Sequence, residues 1–325
     1  MSAPKKSNAQ GEESKRGAPS SPLSTVSFFL TGFGPFGGVQ DNPTSAIIQT
    51  LKEKIANDDV SDDGKQLDST TSAPLHLLEN HTVHSLDIVH VSASKALQQV
   101  QEIFSIIRKN FTKKKSISGS TPESQSEPQN QRDGVPKQHV VILHLGVNHN
   151  QRQTPMFQLE QHAYNEANFR IPDEDGFQAS KQPIDPSHPI SHRLSTDLNV
   201  KRIRDRLKLK MKEYGYEQQA DVGLSGDAGR FVCNYIYYQS LSHVAKLQEE
   251  LRTMSLLKER EGTTIGDDVE IHAMFIHVPS FEDISKNIQL EFTLELLDCI
   301  EEAIVAKDKK LRKKQSSKSK TSNSS

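Results

Sequence analysis

Two unbroken apolar runs constrain this chain more than anything else in it: HVVILHLGV (His139 to Val147) and VEIHAMFIHV (Val269 to Val278). Each has the length of a strand, well short of the about eighteen apolar residues a membrane-spanning helix needs. A strand that is apolar on both faces must be covered on both, the condition of central strands in a parallel sheet clad by helices. The neighbouring segments supply such helices. From Asn42, NPTSAIIQTLKEKI places Ile47, Ile48, Leu51 and Ile55 at helical spacing, with Thr44 or Ser45 as a candidate cap. Ala93 to Ile107 carries Leu97, Val100, Ile103, Phe104 and Ile107 on one face, and Val200 to Tyr214 turns Ile203, Leu207 and Met211 inward. Arg230 to Leu247 and Ile284 to Ala306 read as further helices, and Thr25 to Thr31, Ser85 to Val91 and Ala220 to Leu224 as further strands. Strands alternating with helices predict an α/β fold: a three-layer α/β/α sandwich around a mostly parallel, twisted central sheet.

Hydrophobic residues make up only 34% of the chain, and glycine does not close the gap to the roughly 45–50% of compact domains. The deficit sits in three polar stretches, Met1 to Ser24, Lys114 to Lys137 and Asp308 to Ser325. The expected organisation is a disordered leader over 1–24, one domain over 25–307 with a low-complexity insertion at 114–137, and a disordered basic tail over 308–325. Asp58 to Thr71 reads as a loop. With 40 basic and 42 acidic residues the net charge is −2, so no general field draws nucleic acid or an anionic membrane. The leader has no apolar core of a secretion signal, and a soluble cytoplasmic protein is expected.

The cysteine count excludes a disulfide framework and a cysteine-rich zinc site, since only Cys233 and Cys299 occur. Thirteen histidines form no HExxH motif, and His139 and His144 fall on opposite faces of one strand. No metal and no organic cofactor are expected.

Ligand sites in open α/β sheets gather at the carboxyl ends of strands. Three segments qualify: the loop GFGPFGG after the first strand, SGDAGRFVCNY after the Ala220 strand, and His277 near the end of VEIHAMFIHV. A Gly-rich turn before a helix, with Asp227 or Ser225 as a cap, places Cys233 in the first turns, where free N–H groups and the helix dipole favour a thiolate. Cys233 and His277 at two strand ends would supply a nucleophile and a base for acyl transfer. An inert core thiol is the competing reading of Cys233.

Four motifs in order, GFGPFGG with NPTS, LHLGV with LEQHAYN, SGDAGRFVCNYIYY, and FIHVPSF, together resemble pyroglutamyl peptidase I, the pyrrolidone-carboxyl peptidases, over about residues 26 to 305. The resemblance implies a cysteine exopeptidase that hydrolyses the bond after an N-terminal pyroglutamyl residue through a thioester. It implies Cys233 as nucleophile, His277 as its base and later acid, and Glu160 in LEQHAYN as the group orienting the imidazole. It also implies that Phe33 and Phe36 sandwich the pyrrolidone ring, which suits a flat uncharged lactam. Pyroglutamyl peptides would be the substrate, and a homo-oligomer is compatible with the sequence. Asn42 matches the asparagine after the same loop.

The stretch GVNHNQRQTPMF (Gly146 to Phe157) departs from the family near the expected pocket, which bears on substrate preference. Position 226 is glycine where relatives often carry a larger polar residue, and a looser turn before Cys233 is expected. The segment LQEELRTMSLLKEREGTTIGDD between Cys233 and His277 is also longer and is expected to lie in surface loops. Two other readings stand beside the peptidase: a catalytically altered homologue acting as a binding protein, and a thiol amidase for another small acyl group.

Overall fold

The structure is a computed structural model and describes residues 24–59, 75–78, 81–111, 136–148, 155–260 and 269–322. The expected leader, apart from Ser24, and the insertion, apart from Pro136 and Lys137, lie outside the described residues. In chain order the elements are β1 (Ser24–Phe33), α1 (Pro43–Asp59), β2 (Leu75–Leu78), β3 (His81–Val89), α2 (Ala93–Phe111), β4 (Lys137–Val147), β5 (Met156–Glu160), β6 (His162–Tyr164), β7 (Arg193–Ser195), α3 (Val200–Glu213), β8 (Asp221–Ser225), α4 (Val232–Arg260), β9 (Val269–Val278) and α5 (Lys286–Ser322).

Seven strands form one sheet in the order β2-β3-β1-β4-β9-β5-β8. The strands β3, β1, β4 and β9 run parallel; β2 is antiparallel at one edge, and β5 with β8 forms a parallel pair antiparallel to β9. The two apolar runs are β4 and β9, adjacent at the centre of the sheet. Alternation along β1 shows why both faces need cover. Val26, Phe28 and Leu30 join a core with α1, α3 and α5 residues such as Ile47, Leu207 and Phe292. Phe29 and Phe33 join a second core with α2 and α4 residues such as Ile103 and Ile236. The result is the expected three-layer α/β/α arrangement. His144, buried in β4, contacts Thr31 Oγ1 and Ser240 Oγ at 2.7 Å each; burial pulls its pKa down to about 3, so it serves as a neutral, fully satisfied link between β4, β1 and α4.

Several expectations need correction. The basic stretch from Asp308 continues α5 to Ser322, because Lys and Arg are good helix formers and an existing helix extends without a new nucleus. Asp308 itself is buried, bonded to Ser24 and His139. The helix α4 likewise runs to Arg260, so LQEELRTMSLLKER is helical rather than loop. Only Asp58 and Asp59 of the expected loop are described, and both end α1; the rest lies outside the described residues.

The α1 cap is neither Thr44 nor Ser45. Asn42 occupies that position, its Oδ1 accepting from Thr44 N at 3.0 Å and Thr44 Oγ1 at 2.9 Å, with Pro43 as the first helical residue. Asn42 Nδ2 donates to Gly34 O at 2.9 Å, and Thr44 Oγ1 accepts from Phe33 N at 2.8 Å. These bonds pin the GFGPFGG loop to the start of α1. The helix approaches so closely that a Cβ on Gly32 would lie 2.5 Å from Thr44 O.

Candidate active site

The strands β4 and β9 end together, with Gly146 in register with His277. Antiparallel pairing of β5 with β9 sets Gln158 opposite His277 and Glu160 opposite Phe275. Residues opposite one another and two apart share a sheet face, so Glu160 and His277 are diagonal neighbours. His277 Nδ1 lies 2.7 Å from Glu160 Oε1. Glu160 is fully buried, its Oε2 makes no hydrogen bond, and its backbone carbonyl accepts from Tyr237 Oη at 3.0 Å.

Cys233 is the second residue of α4 and is partly exposed, whereas Glu160 and His277 are buried behind it. Its sulfur lies near enough to His277 to raise the pKa of that imidazole. Burial opposes a charge on the imidazole, but the hydrogen bonds and charge attraction from Cys233 and Glu160 together outweigh it, and the His277 pKa is pushed up to about 10. The Nδ1 side faces a carboxylate, which leaves Nε2 for the sulfur.

The segment that delivers Cys233 is held by polar side chains. Asn234, fully buried, accepts from Tyr164 N at 2.8 Å and donates to the carbonyls of Tyr164 and Glu166. Arg230 pairs with Glu166 at 3.1 Å and with Asp227 at 2.5 Å, its guanidinium 4.1 Å above the Tyr164 ring. Asp227 and Ser225 cap the turn, not the helix: Asp227 Oδ1 accepts from Gly229 N and Ser225 Oγ from Asp227 N. The first helical bond, from Tyr235 N, goes to Phe231 O. The Gly226 carbonyl accepts from Tyr164 Oη at 3.1 Å.

Sequence reasoning missed Gly146. A Cβ there would lie 3.1 Å from Cys233 Sγ and 2.6 Å from the end of the buried Phe275 ring, so only glycine leaves room for the sulfur. It also missed Asn234, Phe275 and Tyr237. Asn234 adjoins Cys233 in sequence, a hint that a buried amide organises the turn; nothing comparable marks the other two.

The two loop phenylalanines take different positions. Phe33 is buried in the α2/α4 core, 6.5 Å from Phe275, whose ring lies 4.8 Å from His277. Phe36 is half-buried, 6.3 Å from Phe231, which immediately precedes α4. Glu160 and His277 are therefore in contact, with Cys233 near them, and Phe33 reaches His277 through the Phe275 ring, whereas Phe36 packs toward Phe231. Of the departing stretch Gly146 to Phe157, residues 149–154 lie outside the described residues. Asn148 is held by a 3.0 Å bond from its N–H to Val278 O and by Nδ2 to Gln158 Oε1 at 2.8 Å.

The pyroglutamyl peptidase family model matches residues 121–256, which include Glu160 and Cys233. A pyrrolidone-carboxylate peptidase of Bacillus subtilis (strain 168) is 37% identical over 93 residues, 29% of this chain and 39% of that relative. This chain is similar to the pyroglutamyl peptidases. A pyrrolidone-carboxylate peptidase of Pyrococcus furiosus is 26% identical over 216 residues, 66% of this chain and 72% of its own length. The fold is also that of a mutant pyrrolidone carboxyl peptidase from Pyrococcus furiosus, at a TM-score of 0.51 and 21% identity, covering 86% of this chain and 99% of that one. Among the described residues no helix is long and apolar enough to cross a membrane.

Proposed function

We propose that this pyroglutamyl peptidase relative is a cysteine exopeptidase that releases pyroglutamate from the N-terminus of peptides, with Cys233, His277 and Glu160 as its catalytic group. The observation that carries this reading is the Glu160–His277 contact at the carboxyl end of the central strands, with the Cys233 sulfur beside Gly146, the residue in register with His277. A buried imidazole held by a carboxylate on one side and facing a sulfur on the other is placed to take the thiol proton when Cys233 attacks.

The thiolate attacks the carbonyl carbon linking pyroglutamate to the next residue, and the C=O π electrons move to oxygen. N–H groups of α4 that precede the first helical bond, those of Cys233 and Asn234, are free to stabilise the developing oxyanion. The C–N bond breaks as His277 delivers its proton to the departing amine, which leaves a pyroglutamyl thioester on Cys233. Neutral His277 then takes a proton from water; the hydroxide adds to the thioester and the thiolate leaves, restoring the pair. Glu160 holds the ring and stabilises the imidazolium. The lactam ring fits between aromatic surfaces, and Phe36, half-buried at the rim, is the phenylalanine most open to it. Phe33 backs the site through Phe275.

Release of a fluorophore from a pyroglutamyl amide tests the reading. Hydrolysis by the natural chain, with loss of at least about a thousandfold in both Cys233→Ala and His277→Ala, is expected. Activity that survives in either variant overturns the catalytic assignment, and hydrolysis of other acyl amides in preference overturns the substrate.

A further inference from the structure

A second cluster of reactive groups lies at the far end of the same two central strands. His139 is in register with Glu270, and Val141 with His272, so His139, Glu270 and His272 leave the sheet on one face near the starts of β4 and β9. That face is covered by α5, whose Asp308 reaches His139.

His139 Nδ1 lies 3.1 Å from His272 Nε2, and Glu270 Oε2 lies 3.7 Å from the first nitrogen and 3.9 Å from the second. The outer ring nitrogens are occupied: His139 Nε2 is 2.8 Å from Asp308 Oδ2, and His272 Nδ1 is 2.7 Å from Asp197 Oδ1. Ionised carboxylates only accept hydrogen bonds, so each ring donates outward. A ring that donates its single N–H outward turns the lone pair of its other nitrogen inward, toward Glu270 Oε2, a buried oxygen with no hydrogen bond among the described residues and with Lys307 Nζ at 3.6 Å.

In that tautomer a cation among the three atoms takes up all three lone pairs at once. A triangle with those three sides has a centre about 2.1 Å from each corner, within the 2.0–2.2 Å of Zn–N and Zn–O bonds. Histidine ligands whose other nitrogen is held by a carboxylate are the usual support of such sites. Three carboxylates, Asp197, Glu270 and Asp308, face two lysines, Lys137 and Lys307, so the surroundings carry a negative excess. Glu270 is 28% exposed and stands at the solvent edge of the cluster.

We propose that His139, His272 and Glu270 bind a first-row divalent cation of the zinc type, remote from the proposed catalytic group. The ion ties β4 to β9 and, through Asp308 on His139, to α5. This departs from the expectation, drawn from motif spacing, that the chain holds no metal. The ligands come from two strands distant in sequence, so no spacing motif announces them.

Zinc titration by calorimetry tests the site, using the full chain with Cys233→Ala so that the thiol takes no part. One saturable equivalent is expected, with a melting temperature that rises as zinc is added. Glu270→Gln, at the solvent edge and nearly isosteric, and His272→Gln are each expected to weaken binding at least tenfold. Cobalt in place of zinc is expected to give a visible d–d band without a thiolate charge-transfer band, and His139→Gln to remove it. Absence of a saturable equivalent, or unchanged affinity in Glu270→Gln, overturns the proposal. So does loss of binding in His188→Gln, which alters the other close histidine pair, His188 with His192 at 4.3 Å between rings.

Discussion

Glu160 has one carboxylate oxygen on His277 and the other without a hydrogen bond, in a fully buried position. Its charge is therefore directed at the imidazole, and Glu160→Gln, which keeps the shape and removes the charge, isolates that effect. The expected result is a fall of about 10²–10⁴-fold in kcat on a pyroglutamyl amide with little change in KM. A fall confined to KM would contradict an orienting role. The His277 pKa, pushed up to about 10, also fixes the sign of a stability effect. A group whose folded value exceeds its unfolded one stabilises fully below the unfolded value of 6.5 and loses that contribution as pH rises through the folded value. The melting temperature is thus expected to decline from about pH 7 to pH 10, and less steeply in Cys233→Ala, which removes one of the partners that raises the value. Equal slopes in the two proteins, followed by calorimetry, would argue that the sulfur does not hold the imidazolium.

At the scale of elements, the loop that borders the proposed pocket depends on one buried amide. Asn42→Ala removes the α1 cap and the bond to Gly34 O, and is expected to destabilise by about 2 kcal/mol in urea unfolding. No measurable change would mean the loop is held by other contacts. The end of α5 provides a second test. Ending the chain after Lys307 removes Asp308 and its bonds to Ser24 and His139, whereas ending it after Lys309 keeps them. The shorter protein is expected to melt at a clearly lower temperature, and identical melting would show that Asp308 contributes nothing. The elements that sequence revealed are those whose burial is periodic: β4, β9, and the apolar faces of α2, α3 and α5. The strand β5 escaped because five residues, MFQLE, show too little periodicity, although Phe157 and Leu159 are fully buried. The basic end of α5 looked like solvated chain because lysines give no apolar stripe, yet helical propensity alone carries the helix on. Asp308 was invisible as a core residue because its partners, Ser24 and His139, are far away in sequence.

Across the whole molecule, the sheet separates two kinds of polar cluster. The carboxyl ends of β4 and β9 meet the turn before α4 and bring Cys233, His277 and Glu160 together; their starting ends hold His139, Glu270 and His272 under α5. Of the proposed catalytic group, the sequence supported the meeting of cysteine and histidine through strand-end placement, while Glu160 required the family resemblance, because a carboxylate on a short unrecognised strand has no signature of its own. The claim on which the functional account rests is that Cys233 carries the acyl group. Intact-protein and peptide mass spectrometry, after rapid acid quenching of a reaction with a pyroglutamyl ester or amide, tests it directly. The account predicts a mass increase of one pyroglutamyl group located on the Cys233 peptide and absent in Cys233→Ala. Hydrolysis that proceeds in Cys233→Ala, or an acyl group found on another residue, would contradict it.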